Sequence, residues 1–192
     1  MIKGLYNWTM SLAQHPRALW LLAAISFIEA SVFPIPPDVL MIPMILARPS
    51  RAWLIAGIAL ISSVAGGLLG YLIGAQFYDL IGRPILETMG KADAMAEFNT
   101  RFNDFGFWPV LIAGITPFPF KVITIMSGWT GLPLVTFVVT SIIARGLRFF
   151  IVAALLWKFG APIRDFIERR LGLMFTLFVL ILLGGFYVVK YL

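Results

Sequence analysis

The sequence predicts an all-α integral membrane protein built as an inverted repeat. Two re-entrant, proline-broken hairpins are each followed by a long transmembrane helix. An interfacial amphipathic helix separates the repeats, and a C-terminal transmembrane helix follows them. Three observations carry this reading. Hydrophobic residues make up 60% of the 192-residue chain and charged residues 12%, against about 25% charged in a soluble domain. The apolar runs are long and numerous. Finally, two similar proline-bearing segments interrupt them, Pro34-Ile35-Pro36-Pro37-Asp38 and Pro117-Phe118-Pro119-Phe120-Lys121. Proline lacks the N–H and crowds the carbonyl one turn back, so no continuous helix passes either segment. Laying one segment on the other sets the acid Asp38 against the base Lys121.

The composition also excludes chemistry. With no cysteine, disulfides, thiolate metal sites and a cysteine nucleophile are ruled out. A single histidine, His15 beside Pro16, argues against a histidine zinc site or a Ser-His-Asp triad. No nucleophile–base pair stands out, so an enzyme is not expected, and neither metal nor cofactor is implied beyond a proton. The net charge of +6 does not point to nucleic acid, since bases at membrane ends set orientation or meet anionic lipid. The N-terminus carries no compact signal-peptide core with a small-residue cleavage site and is expected to be retained.

In chain order, residues 1–16 read as a short interfacial segment and 17–85 as the first repeat. Arg17 to Phe33 is apolar and runs into Pro34, Pro36 and Pro37. Val39 to Ala47 then spans only about 14 Å as a helix, against a hydrocarbon core of about 30 Å. The economical solution is a hairpin that enters, breaks and returns to Arg48, Pro49, Ser50 and Arg51. Trp53 to Ile81 is the first long helix and ends at Gly82-Arg83-Pro84. Its Gly66, Gly70 and Gly74 repeat every fourth residue, a spacing for close helix approach. That stripe is open to a homo-oligomer contact or to packing within one chain.

Residues 86–105 carry Leu86, Met89, Ala92, Met95, Phe98, Phe102 and Phe105 at intervals of three or four, an amphipathic interfacial helix. The second repeat, 106–163, enters from Phe107, breaks at Pro117 and Pro119, and returns to Met126. Leu134 to Phe159 follows as its long helix, ending at Gly160-Ala161-Pro162-Ile163. A final transmembrane helix fills 166–192. One true crossing per repeat, an odd number, turns the copies upside down relative to each other. Eight bases (Lys3, Arg17, Arg48, Arg51, Lys158, Arg164, Arg169, Arg170) then share one face. Only Arg83, Lys91, Arg101 and Lys190 lie on the other, which places the N-terminus in the cytoplasm.

Five ionisable residues fall at membrane depth: Glu29, Asp38, Lys121, Arg145 and Arg148. Each costs about 2.5–3.5 kcal/mol at the centre of an isolated helix, so such groups pair, line a cavity or mark a pathway. Asp38 suits the N-terminus of a short helix; Lys121 does not, because a cation there adds to a positive helix end. Such a place favours an anion. Arg145 and Arg148, three apart, share a helix face. Three bases against two acids leave one positive charge over, and a phosphate headgroup is the common anion at a membrane. The bland reading is an internal salt-bridge network with Arg148 snorkelling to an interface. Trp108, Trp129 and Trp157 read as interfacial anchors.

Phe27-Ile28-Glu29 leading into Pro34-Ile35-Pro36-Pro37-Asp38, the helix from Gly66-Gly67 through Gly70-Tyr71, and Pro119-Phe120-Lys121 followed by Gly128 resemble the DedA family. That family is also called the SNARE-associated or VTT domain, and within it the small YqaA-like proteins are similar. The resemblance, over about Phe27 to Gly160, implies two oppositely oriented re-entrant hairpins meeting mid-membrane. It also implies lipid handling in the bacterial inner membrane, where members are implicated in returning undecaprenyl phosphate or other phospholipids; eukaryotic relatives resemble scramblases. Glu29 and Asp38 match the family's embedded acids, and Lys121 stands where an arginine usually lies. The family's other arginine, six residues earlier, falls here on Ile115, and Arg145 is the candidate substitute.

The expected function is therefore a multi-pass lipid translocase or scramblase for lipids with anionic phosphate headgroups. Lys121 and Arg145 would meet the headgroup, with Glu29 and Asp38 holding the bases or exchanging a proton. A proton-coupled transporter of a small solute, and a scaffold whose buried charges are structural, are the rivals.

Overall fold

The computed structural model describes residues 17–32, 35–90, 92–116, 118–160 and 162. The interfacial segment 1–16, Pro34, Lys91, Pro117 and the C-terminal helix 166–192 lie outside them. The regular elements among the described residues are all helical, without a strand. In order they form α1 (Ala18–Ser31), α2 (Asp38–Ala47), a 3₁₀ turn (Pro49–Arg51), α3 (Ala52–Phe77), a π turn (Tyr78–Gly82), α4 (Arg83–Thr88) and α5 (Ala92–Asp104). After these come α6 (Phe107–Ile115) and α7 (Phe120–Trp129), then α8 (Leu134–Gly160).

Two helical runs are long and apolar enough to cross a membrane by length and composition, Pro49–Thr88 and Leu134–Gly160. Their outward faces are apolar: Ile61 is 72% exposed and Val135 75%. A face of that kind is stable only against hydrocarbon or another apolar surface. The other apolar helices are short. At 1.5 Å per residue α1 reaches about 21 Å, α2 and α7 about 15 Å and α6 about 14 Å.

Proline sets the boundaries of these short helices. Pro36 and Pro37 keep α1 from continuing, and α2 starts directly after them; Pro119 stands as the extended N-cap of α7. Pro84 behaves differently from expectation. The helix does not end at Gly82-Arg83-Pro84 but runs on to Thr88. The widened π turn over Tyr78–Gly82 lies immediately before Pro84, where the ring needs room against the turn before it. The break comes later, at Gly90, whose φ of +65° suits glycine. The amphipathic helix α5 therefore starts at Ala92 rather than at residue 86.

Two apolar clusters form the core. One joins Leu22 of α1, Met41 and Ile45 of α2, Ile55 of the first half of α3, and Phe149 and Leu156 of the last half of α8. The other joins Ala30 at the end of α1, Val110 of α6, Phe120 of α7 and Phe137 at the start of α8, with Tyr71 of α3 packed against it. Thus α3 and α8 run through both clusters in opposite directions, while α2 belongs to the first and α6 and α7 to the second.

The glycine stripe of α3 is used inside the chain. A Cβ on Gly66 would run into the backbone of Phe27 in α1, and one on Gly74 into the backbone of Ile125 in α7. Gly128 of α7 makes the reciprocal approach to the Tyr71 carbonyl. Backbones this close leave no space for a side chain, which is why small residues recur at such crossings. Trp129 is likewise a packing residue: its ring covers Gly82 and meets Tyr78 edge-on at 5.4 Å.

Candidate functional site

The five charged residues predicted at membrane depth are brought together where the two apolar clusters meet, and they sort into three contacts. The deepest is Glu29 with Arg145. Arg145 Nη2 donates to Glu29 Oε2 at 2.5 Å, and its Nε donates to Ser63 Oγ at 2.8 Å. The side chains are 1% and 8% exposed. Glu29 comes from the last turns of α1, Ser63 from mid-α3 and Arg145 from mid-α8, so one guanidinium ties three helices. Phe120 and Phe149 lie against it, with ring centroids 4.8 and 4.6 Å from Cζ. The aromatic faces add cation–π attraction where water is excluded.

The second contact is Arg148 with Asp38. Arg148 Nη2 donates to Asp38 Oδ2 at 2.5 Å, while Nη1 donates to the Thr116 carbonyl at 2.5 Å. Asp38 is the first residue of α2, where a carboxylate complements the helix dipole. Thr116 is the C-cap of α6, where a helix leaves carbonyls without partners. Arg148 therefore joins both proline breaks to α8. Its guanidinium is held between these two partners. Its pair is more open than the first, at 16% and 19% exposed.

The third contact is Lys121 with a carbonyl. Lys121 Nζ donates to the Val32 oxygen at 3.0 Å, and Val32 is the C-cap of α1. One turn on, the Thr124 hydroxyl lies 2.9 Å from the Ala30 carbonyl. Two side chains of α7 thus reach carbonyls at the end of α1, the Thr124 hydroxyl sharing its proton between Ala30 and the Lys121 carbonyl of its own helix. Lys121 itself is only partly buried, and among the described residues it forms no pair with a carboxylate.

Asp38 and Lys121, which align when one proline segment is laid on the other, are not paired: Asp38 accepts from Arg148 of α8, and Lys121 donates to the Val32 carbonyl at the end of α1. Arg145 is sealed against Glu29 and is not presented to a ligand in this conformation. Sequence reasoning missed Ser63, Phe120, Phe149 and Thr116. A serine in the middle of an apolar helix was a usable signal for Ser63, whereas a backbone carbonyl such as that of Thr116 leaves none.

The hydroxyls of Ser26 and Ser141 are buried without a hydrogen-bond partner among the described residues. Each stands one turn before a member of the deep pair, Glu29 or Arg145. A buried hydroxyl without a partner costs about 1–3 kcal/mol. Ser141→Ala is therefore expected to keep or raise the melting temperature in detergent. A fall of several degrees would show that the hydroxyl holds a partner. No group of three or more His, Cys, Asp or Glu residues among those described is placed to hold a metal ion.

The VTT domain matches residues 35–158, which run from the first break through α2 to nearly the end of α8. An uncharacterized protein of Haemophilus influenzae is 39% identical over 168 residues, spanning 85% of this chain and 87% of its own. An uncharacterized protein of Histophilus somni is 38% identical over the same shares. No solved structure matches.

Proposed function

The chain belongs to the VTT domain family, the DedA family, and from that premise we propose that it moves phosphate-bearing lipids across the bacterial cytoplasmic membrane. The family is one of membrane proteins linked to membrane transport or lipid handling. The observation that supports a lipid headgroup as cargo is the charge inventory at the breaks. Glu29 neutralises Arg145 and Asp38 neutralises Arg148, which leaves Lys121, partly open, as the surplus cation among the described residues at the breaks. The headgroup meets Lys121 and the rim of the Arg148–Asp38 pair, with the acyl or prenyl tail left in the bilayer. Arg145 acts as a positioning residue, holding α1, α3 and α8 around the breaks.

In this reading the paired short helices are re-entrant hairpins. Apart from the end of α1, each contributes to a single apolar cluster, as expected of elements confined to one half of the bilayer. Irregular backbone at membrane depth is tolerated only where protein or a cavity covers it, and here basic side chains cap both exposed helix ends. The repeats sit inverted, with the N-terminus cytoplasmic.

The test is transfer of labelled lipid in proteoliposomes by the wild type and by Lys121→Ala. Wild-type protein is expected to move anionic phosphate lipids, and the folded variant to lose at least about tenfold in rate, since a charge-assisted contact contributes about 1.5–3 kcal/mol. No transfer of any lipid, undecaprenyl phosphate included, contradicts the proposal and favours a proton-coupled solute transporter.

A further inference from the structure

Resting on the lipid reading, we infer that the Lys121–Val32 contact is a latch between the two hairpins, and that a lipid phosphate opens it by replacing the carbonyl. The contact crosses from the second residue of α7 to the C-cap of α1. Among the described residues it is the one ammonium contact between the breaks, and its acceptor is a neutral dipole. A phosphate oxygen brings a formal negative charge, and bonds between two ionised groups are the stronger kind. Lys121 also stands at a helix N-terminus, where its own charge is disfavoured and an anion relieves the cost.

The neighbouring cations are not equivalent. Arg145 is sealed between Glu29, Ser63 and two phenyl rings. Arg148 has one Nη committed to Asp38 and the other to Thr116, so a ligand that took it would strip a carboxylate of its partner. Lys121 gives up only a carbonyl. The end of α1 stays satisfied in part when this happens, because Thr124 still holds the Ala30 oxygen. Release at Lys121 therefore loosens one hairpin break from the other without unpairing a buried charge, and leaves Arg148, between Asp38 and the Thr116 carbonyl, as the hinge about which they part.

The charge count gives the ligand class. With both acid–base pairs neutral, the site carries one positive charge. A lipid phosphodiester of net charge −1 cancels it, whereas a zwitterionic headgroup brings a compensating cation of its own. Lys121 is then the residue that sets headgroup charge preference. Anionic lipids should pass about fivefold faster than zwitterionic ones, the factor for a coupling of about 1 kcal/mol. In a folded Lys121→Gln variant the ratio should fall toward one.

The chain contains no cysteine, so spin labels enter at chosen positions only. Labels at Ile35→Cys and Ile115→Cys, 39% and 40% exposed, mark the two breaks. In nanodiscs of zwitterionic lipid the distance between them should be single and short. Adding an anionic phosphodiester lipid should give a longer population, and Lys121→Gln should show that population without any anion. Inorganic phosphate separates the sources of the group. A longer population with free phosphate supports a latch read by the headgroup alone; one seen only with anionic lipid supports a latch that also needs the tail. A distance unmoved by anionic lipid, in labelled protein that still transfers it, overturns the latch and leaves the lipid reading standing. Protein that transfers no lipid at all overturns that reading instead.

Discussion

Arg145→Ala is expected to yield little folded protein. The guanidinium is 1% exposed and holds Glu29 and Ser63 together, so its removal leaves a carboxylate buried among apolar helices with nothing to neutralise it. Breaking one partner of a buried pair costs about 3–5 kcal/mol, a large share of the 5–15 kcal/mol that holds a typical domain. Glu29→Ala should be as damaging, through the stranded guanidinium. The double variant Glu29→Gln/Arg145→Met should recover part of the loss, because neither charge then remains unpaired. Lys121→Ala, which frees only a carbonyl at a partly exposed position, should cost about 1 kcal/mol, because loss of the hydrogen bond is partly offset by removing a cation from a helix N-terminus. Thermal unfolding and monodispersity in detergent measure all four. An Arg145→Ala protein as stable as wild type would show that the deep pair does not hold the three helices.

Gly74→Val carries the second large effect. Its Cβ would enter the Ile125 carbonyl, and Gly128 makes the mirror approach to Tyr71, so α3 and α7 touch backbone to backbone. Overpacking a core usually costs about 1–3 kcal/mol, and more where the neighbour cannot turn aside; a main-chain carbonyl cannot. The variant should lose the α3–α7 crossing and with it the placement of Lys121 at the end of α1. Gly57→Ala is the control from the same helix. Nothing lies within reach of its Cβ, and alanine is better than glycine in a helix interior by about 1 kcal/mol. Its melting temperature should hold or rise. If both variants fold alike, α3 and α7 are not in backbone contact.

These effects follow from features of unequal visibility in the sequence. The helical membrane class was legible, because runs such as Ala52–Phe77 and Leu134–Gly160 are long and apolar enough to cross a membrane. The proline segments were legible as breaks, since proline acts through its own ring whatever surrounds it. The end of the first long helix was not. Pro84 reads as a terminator, but a π turn precedes it and the helix runs on; Trp129 covers Gly82 there from another helix, a partner that no local motif names. The glycine stripe announced a close approach without naming the partner, for spacing is the same whether α1, α7 or a second copy lies opposite. The charged residues were legible as a set and illegible as pairs. Asp38 and Lys121 match by position, yet Arg148 takes Asp38, and the two cations at the breaks hold carbonyls, groups present at every residue and therefore silent in a sequence.

Photocrosslinking at the breaks tests the central claim most directly. A photoreactive residue at Ile35 lies beside the site, and one at Ile61, 72% exposed on the outer face of α3, meets lipid without regard to its headgroup. In native-like membranes the Ile35 probe should capture phosphate-bearing lipid, lose that adduct to an excess of unlabelled anionic lipid, and keep it against an uncharged one. The Ile61 probe should capture both kinds in proportion to their abundance. Equal, headgroup-blind labelling at the two positions would contradict a phosphate site where the hairpins meet.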